Sequence, residues 1–426
     1  MSQASPSFRE ALGIWLKVGC LGFGGPAGQI ALLHRTVVEE KGWIDEARFA
    51  HALSFCMLLP GPEAQQLAVW LGWRLHGIRG GVAAGLLFVL PGLLVMLGLS
   101  ALYVAHGRSE WAGPVLLGLK AAVVALVAQA LVRIGRRAVR DRAGLTAAVV
   151  AFVLLTFTTL PFPLLILAAG LAGWLLGGGA VSESEPSSDR GRGAFKTALI
   201  CLALWLAPVA TAWIVAPDST LARMGAVFSG LAVVSFGGAY AALAYLGQAA
   251  STFGWLTPGQ MLDGLGLAET TPGPLVLVFT FVGFVGAFQD TSPAWAWLAG
   301  LAGGLMAAWT TFAPSFLWIF AGGPFFERLR SQPRPARALT MVSAASVGVI
   351  GQLAVWFAIH FLFGSSEILR AGVLKVSVPE LSSLDPAAVG LTILALALTF
   401  ALRLPVLALV AAMVVAGLAL RVVGVA

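Results

Sequence analysis

Charged residues are scarce in this chain. Of its 426 residues, 11% are Asp, Glu, Lys or Arg and 59% are hydrophobic, whereas a soluble globular domain carries about 25% charged residues. The composition therefore excludes an ordinary soluble protein. Uncharged runs such as Gly80–Ala105 and Met224–Gly247 exceed the ~20 residues that a helix needs to cross a bilayer. We expect a multi-pass protein embedded in a lipid bilayer.

Residues that carry catalysis or bind metals are equally sparse. The three cysteines, Cys20, Cys56 and Cys201, lack metal-ligand spacing, and the five histidines are scattered without an HExxH pair. A GxxxxGK(S/T) motif is also missing, which argues against direct use of ATP. The net charge of +7 does not indicate nucleic acid, because in a membrane protein the positions of the charges say more than their sum. We expect no metal, no cofactor and no enzymatic activity.

What the chain does contain is an internal repeat. GFGG at Gly22–Gly25 matches SFGG at Ser235–Gly238, and Pro-Gly-Pro at Pro60–Pro62 matches Pro272–Pro274 at nearly the same offset. Further matches keep their order along the chain, which is the signature of duplication. The repeat predicts three parts: residues 1–177 as one half, 178–217 as a polar linker with a linking transmembrane helix, and 218–426 as the other half.

The single linking helix predicts that the second half is inverted. Arg133–Arg142 and Glu327–Arg337 are the two strongly basic loops, and this model places both inside, as positive-inside counting requires. The start, Met1–Gly19, lacks the pattern of a signal peptide, and we expect it to be cytoplasmic. The predicted fold class is an all-α polytopic membrane protein with an inverted-topology repeat and about 10–13 segments, some broken or re-entrant. Such repeats are typical of secondary transporters.

The repeated motifs predict helix breaks that bind an anion. Glycine runs unwind a helix, proline begins one, and the N–H groups freed at a helix start attract negative charge. Close packing by glycine and a plain proline kink remain the alternatives. The predicted substrate-binding residues of the breaks are Gly22, Phe23, Gly24, Gly25, Pro26, Pro60, Gly61, Pro62, Ser235, Gly237, Gly238, Thr271, Pro272, Gly273 and Pro274.

Polar side chains near the breaks complete the predicted site. Gln65 and Gln66 offer amide donors, although one of them must point away because successive helical residues diverge by ~100°. Lys17 and Lys120 are candidates for neutralising an anion, with snorkelling as the alternative for Lys17. Glu63 and Glu269 are candidates for carrying a coupling proton. The alternative for Glu63 is a first-turn carboxylate stabilised by the helix dipole.

These motifs resemble one family. GFGGP, EKGW, LPGPEAQQLAVWLGW and FVLPG in the first half, with SFGGAY and AETTPGPL in the second, are similar to the long form of the chromate ion transporter superfamily. SFGGA lacks the closing proline of GFGGP, so the halves need not contribute equally. The resemblance maps the family's motif onto Gly22, Gly24, Gly25, Pro26, Pro60, Gly61, Pro62, Glu63, Gln65, Gln66, Gly237, Gly238, Glu269, Pro272, Gly273 and Pro274.

The resemblance implies efflux of chromate across the bacterial inner membrane, with chromate resistance as its consequence and sulfate as a competing analogue. We therefore predict a secondary active transporter driven by the membrane potential or a proton gradient. A carrier of sulfate or another oxyanion is the alternative, since both ions are tetrahedral dianions. A membrane-embedded enzyme would need a nucleophile and base or a metal cluster, which the sequence lacks. Homodimerisation is left open.

Overall fold

The computed structural model describes residues 6–57, 59–107, 109–177, 191–236, 239–322 and 332–422, with the side chains of 191–194 left out. Of the described residues, 80% are helical, and five of the described helices are long and apolar enough to cross a membrane. These observations confirm the prediction of an all-α polytopic membrane protein. The five helices are Glu63–His106, Ala112–Ala138, Phe195–Val215, Ala296–Phe320 and Pro333–Leu362.

The chain forms two compact units, and each draws on both predicted halves. Unit 1 contains Met1–Ser100, Val181–Ala239 and Thr271–Gln332, and unit 2 contains Ala101–Ala180, Tyr240–Thr270 and Pro333–Ala426. Three-dimensional contacts therefore group the chain differently from the sequence repeat. The predicted inversion and the inside–outside assignment stay predictions. Residues 178–190 and 323–331 lie outside the described residues. They include most of the polar stretch that precedes the linking helix and part of the second basic loop.

Unit 1 is built around a helical hairpin, α12–α13, against which α8 and α9 pack. Side-chain caps begin several of its helices, as when Ser219 accepts a hydrogen bond from the Ala222 amide at the start of α9. Its elements are α1 (Phe8–Leu21), α2 (Gly25–His34), a π-helical turn (Arg35–Glu40), α3 (Glu46–Cys56), α4 (Glu63–His106, through Ser100, broken by non-helical backbone at His76 and Gly77), α8 (Gly191–Val215), α9 (Thr220–Val234), a 3-10 turn (Leu275–Leu277), α12 (Val278–Gln289) and α13 (Ala296–Phe320).

Unit 2 is centred on α5 and α14, on which most of its other helices pack. Asp141 caps α6 through the Gly144 amide and pairs with Arg337 at 2.7 Å, and both contacts, the amide first, lower the pKa of this exposed carboxyl. The elements are α5 (Ala112–Ala138), α6 (Arg142–Phe157), α7 (Phe162–Leu176), α10 (Ala239–Thr252, from Tyr240), α11 (Pro258–Thr270), α14 (Pro333–Leu362), β1 (Ser366–Ala371), β2 (Leu374–Pro379), a 3-10 turn (Leu381–Ser383), α15 (Pro386–Phe400) and α16 (Val406–Val422).

Two details differ from the sequence analysis. The uncharged run Met224–Gly247 is not one span, because α9 ends at Val234 and α10 begins at Ala239. In unit 2 an antiparallel hairpin, β1–β2, interrupts the helical pattern and turns at Gly372, whose φ is +62°. Glycine reaches this left-handed region without a Cβ clash. The predicted all-α fold class does not include this hairpin.

Candidate functional site

The GFGG motif breaks a helix in unit 1. Helix α1 ends at Leu21 and α2 begins at Gly25, with Pro26 in its first turn. Gly24 and Gly25 have φ values of +84° and +68°, a left-handed conformation that favours glycine. The motif therefore ends one helix and starts the next, as the sequence predicts.

Both Pro-Gly-Pro motifs adopt the same backbone turn. Gly61 and Gly273 have φ values of +107° and +106°, and a helical segment follows each second proline. Helix α4 begins at Glu63, directly after Pro62. Pro274 precedes the 3-10 turn that leads into α12. The two motifs are therefore helix starts, and the plain kink that the sequence left open is not what forms.

Reciprocal hydrogen bonds join the breaks of the two repeats. The Gly61 amide donates to the Ser235 carbonyl at 3.2 Å, and the Gly273 amide donates to the Gly22 carbonyl at 2.9 Å. Gly22 and Ser235 occupy matching positions of GFGG and SFGG. Each Pro-Gly-Pro is thus tied to the glycine break of the opposite half. The Gly61 and Gly273 amides are therefore occupied in holding the breaks together.

A small cavity lies where these helix starts meet. Its volume is about 10 Å³, enough for about one water molecule. Five of its lining residues belong to the predicted site: Pro26, Gly61, Pro62, Glu63 and Pro274. The other five were not predicted: Gln29, Ala64, Ala239, Leu275 and Val276.

Helix starts surround the cavity. Residues at or beside the starts of α2, α4, α10 and the 3-10 turn before α12 line it. The first four N–H groups of a helix have no partner within that helix, and the aligned peptides add about half a positive charge at its N-terminus. Glu63 is the first residue of α4 and is half-buried at this point. Its carboxylate brings one negative charge to the lining.

Gln29 is the lining residue that the sequence analysis missed. It is fully buried, and its Nε2 donates to the Gly22 carbonyl at 3.2 Å. This is the carbonyl that also accepts the Gly273 amide. Oε1 of Gln29 has no partner among the described residues. A lone glutamine in an apolar run was the available signal, but the matching position of the second half is Ala242, so the repeat did not draw attention to it.

Gln65 and Gln66 occupy a different place from the predicted one. Both are buried, but Gln66 Nε2 donates to the Pro60 carbonyl at 2.7 Å, and Gln65 Nε2 lies 3.5 Å from the Phe312 carbonyl. Neither residue lines the cavity. Because Gly61 and Pro62 interrupt the helix after Pro60, the Pro60 carbonyl has no helical N–H donor. The side-chain amide of Gln66 supplies that donor. Both amides are directed at backbone carbonyls in this structure, and their predicted contact with a substrate stays a prediction.

The remaining predicted residues of unit 1 lie outside the cavity lining. Lys17 is exposed on α1, and Phe23 is half-buried beside the break. Thr271 is buried, and the Pro272 carbonyl packs directly against Gly92 of α4. Gly237 and Gly238 lie outside the described residues.

Lys120 and Glu269 belong to unit 2. Lys120 Nζ lies 3.1 Å from Oδ1 of Asp263, and the other oxygen of Asp263 accepts a hydrogen bond from Tyr103 at 2.9 Å. Glu269 accepts a hydrogen bond from Tyr240 at 2.8 Å, and both are buried. Neither Lys120 nor Glu269 lines the cavity of unit 1.

Comparison with known proteins agrees with the motifs. A family model for the chromate transporter matches residues 10–174 and 222–418. The chain belongs to the chromate transporter family. The two matched regions fall within residues 1–177 and 218–426.

Individual relatives extend over most of the chain. A chromate transport protein of Pseudomonas aeruginosa is 34% identical over 400 residues, covering 92% of this chain and 87% of the relative. A chromate transport protein of Cupriavidus metallidurans is 30% identical over 347 residues, with 81% of each chain covered. A probable chromate transport protein of Synechococcus elongatus is 28% identical over 382 residues, covering 88% and 92%. No solved structure matches the chain.

Proposed function

We propose that this protein is a secondary active transporter that exports chromate across the bacterial inner membrane. The observation that carries the proposal is the cavity in unit 1, where residues at or beside four helix starts converge. Membership of the chromate transporter family and the names of its relatives supply the substrate. The N-terminus lies in the cytoplasm in this proposal, and transport runs outward.

The chemistry of the lining suits a tetrahedral oxyanion. Its oxygens diverge, so they accept hydrogen bonds from several directions, and helix starts from different segments supply donors that converge. Such backbone donors at broken helices are how many secondary transporters hold anionic groups. Because they recognise charge and shape, sulfate is expected to compete with chromate. Transport of sulfate or another oxyanion is therefore the second candidate function.

The cavity in this structure is smaller than a chromate ion. About 10 Å³ holds roughly one water molecule, whereas chromate has five heavy atoms. In our proposal the anion enters only when the breaks separate, which opens the Gly61–Ser235 and Gly273–Gly22 hydrogen bonds.

The membrane potential is a sufficient driving force for export. An inside-negative potential favours the exit of each negative charge by ~2.3 kcal/mol per 100 mV. A dianion gains twice this amount if no proton accompanies it. Exchange of chromate for an incoming proton adds the inward proton gradient as a second source of energy and increases the net charge moved. A proton that leaves with chromate reduces the net charge moved and works against that gradient. Glu63 and Glu269 remain the sequence-predicted carriers of that proton.

Chromate uptake into inverted membrane vesicles tests the proposal. The expected result is uptake that requires an energised membrane, disappears in vesicles without the protein, and is inhibited by excess sulfate. Uptake of sulfate that chromate fails to inhibit would favour the second candidate. Absence of movement of either anion would contradict the proposed function.

Glu63→Gln should tighten chromate binding. In the proposed site the carboxylate repels the dianion, and unit charges about 6 Å apart interact by about 3 kcal/mol at an effective dielectric constant near 20. Allowing for screening, we expect the half-saturating chromate concentration to fall roughly tenfold. The measurement is the concentration dependence of uptake in the same vesicles.

The matched control is Glu46→Gln, since Glu46 is also the first residue of a helix, α3, but is exposed and pairs with His34. It should leave the half-saturating concentration unchanged. An unchanged or higher value for Glu63→Gln would show that Glu63 only stabilises the first turn of α4.

A further inference from the structure

Unit 2 contains a buried ionic cluster that the proposed anion site does not use. Asp263 of α11 is 4% exposed. Its carboxylate contacts two other segments of the chain, Lys120 of α5 and Tyr103 in the last turn of α4. The Lys120 side chain retains 24% exposure. Lys120 is a sequence-predicted anion ligand, whereas no sequence motif marks Asp263 or Tyr103.

The contacts of Asp263 leave Lys120 as its charged partner in the described part of the chain. Helices α14 and α16 also pack on α11, but His360 of α14 bonds to the Trp356 carbonyl and Arg421 of α16 pairs with Glu110. Arg337, at the start of α14, pairs with Asp141. The negative charge of Asp263 is therefore balanced by one cation that sits on a different helix.

Such a pair is stable only while its two helices stay together. A buried carboxylate that loses its counter-ion is strongly penalised, and it takes up a proton to become neutral. Movement of α11 away from α5 therefore converts the carboxylate into a carboxylic acid, and its return releases the proton.

Chain connectivity links this cluster to the anion site. Helix α11 ends at Thr270, directly before the second Pro-Gly-Pro motif, which must rearrange when the breaks separate. Tyr103 lies near the end of α4, beyond the break in that helix at His76 and Gly77. Opening of the breaks thus acts on Asp263 through α11.

We propose that Asp263 is the proton-binding site of the transport cycle, with Lys120 and Tyr103 as the groups that hold its ionised form. The proton enters from solution on one side of the membrane when the pair opens and leaves to the other side when it forms again. This inference rests on the proposed function and names the group through which a proton gradient acts. It favours Asp263 over Glu63 and Glu269.

The test uses the full chain reconstituted in liposomes with an entrapped pH-sensitive dye and the membrane potential held at zero. Chromate exchange without gradients and proton movement driven by a chromate gradient are measured on the same preparation. Asp263→Asn should keep chromate exchange and lose proton movement to the level of protein-free liposomes. Lys120→Met should show the same loss, since the unpaired Asp263 stays protonated.

Asp141→Asn is the matched control, because Asp141 is also ion-paired in unit 2 but exposed and capping α6. It should keep both activities. If single variants fail to fold, the double variant Lys120→Met with Asp263→Leu replaces the pair by apolar groups, a change that proteins often tolerate. It should exchange chromate without moving protons.

Wild-type proton movement in Asp263→Asn or in the double variant would overturn the inference. So would chromate-driven transport by the wild type without any proton movement, although the proposed function would then stand. Failure of the wild type to move chromate at all would instead contradict the proposed function.

Discussion

Gly92→Ala should abolish chromate transport. Gly92 lies in α4, and a methyl group at this position would overlap the Pro272 carbonyl oxygen of the second Pro-Gly-Pro motif. That oxygen belongs to the backbone and cannot turn away as a flexible side chain does. Forcing extra atoms into a packed interior typically costs about 1–3 kcal/mol, and here the displaced group is the helix break itself. We expect uptake by inverted vesicles to fall to background.

The same helix provides the control for this prediction. Gly98→Ala adds the same methyl group where no atom lies within 4 Å, and alanine favours helix over glycine by about 1 kcal/mol. It should leave transport unchanged. The amount of protein in the membrane and its melting temperature in detergent are measured for both variants. Normal transport by Gly92→Ala would show that the position of Pro272 does not matter for function.

Gln29→Glu should weaken chromate binding by on the order of 100-fold. The substitution preserves shape, and at alkaline pH, where this buried carboxyl group is ionised, it adds a negative charge to the cavity lining in which a dianion is proposed to bind. At an effective dielectric constant near 20, two unit charges about 5 Å apart repel by about 3 kcal/mol, which corresponds to roughly this factor. Loss of the hydrogen bond from Nε2 to the Gly22 carbonyl should add to the effect. Chromate binding to the purified protein measures it.

Gln260→Glu is the matched control for the charge. Gln260 and Thr257 form reciprocal hydrogen bonds at the start of α11, a capping box in which glutamate serves as well as glutamine. This variant should bind chromate like the wild type. If Gln29→Glu also binds normally, chromate does not occupy this cavity.

Local backbone chemistry explains which parts of the site could be predicted from the sequence. Proline and glycine act on their own residues, so GFGG and the two Pro-Gly-Pro motifs indicated helix starts, and the structure has them after Gly24, Pro62 and Pro274. The repeat indicated that the breaks belong together. It could not show that the Gly61 and Gly273 amides bond to carbonyls of the opposite break.

Side chains whose roles depend on distant partners were not predictable. Gln29 is one polar residue in an apolar run, and only the meeting of the helix starts gives it a place in the cavity. Lys120 was noted for its charge, but its partner Asp263 lies on a helix far along the chain. The sequence predicts Gln65 and Gln66 as ligands from their amide groups alone. It does not reveal that these amides donate hydrogen bonds to the carbonyls of Phe312 and Pro60.

The central claim is that chromate binds where the helix breaks of unit 1 meet, and the most direct test locates the chromium atom. Crystals of the protein soaked or grown with chromate give an anomalous difference map at the chromium absorption edge. We predict one peak per chain in an enlarged cavity bordered by Gln29, Glu63, Ala239 and Leu275. A peak elsewhere in the chain, with this cavity still closed, would contradict the account.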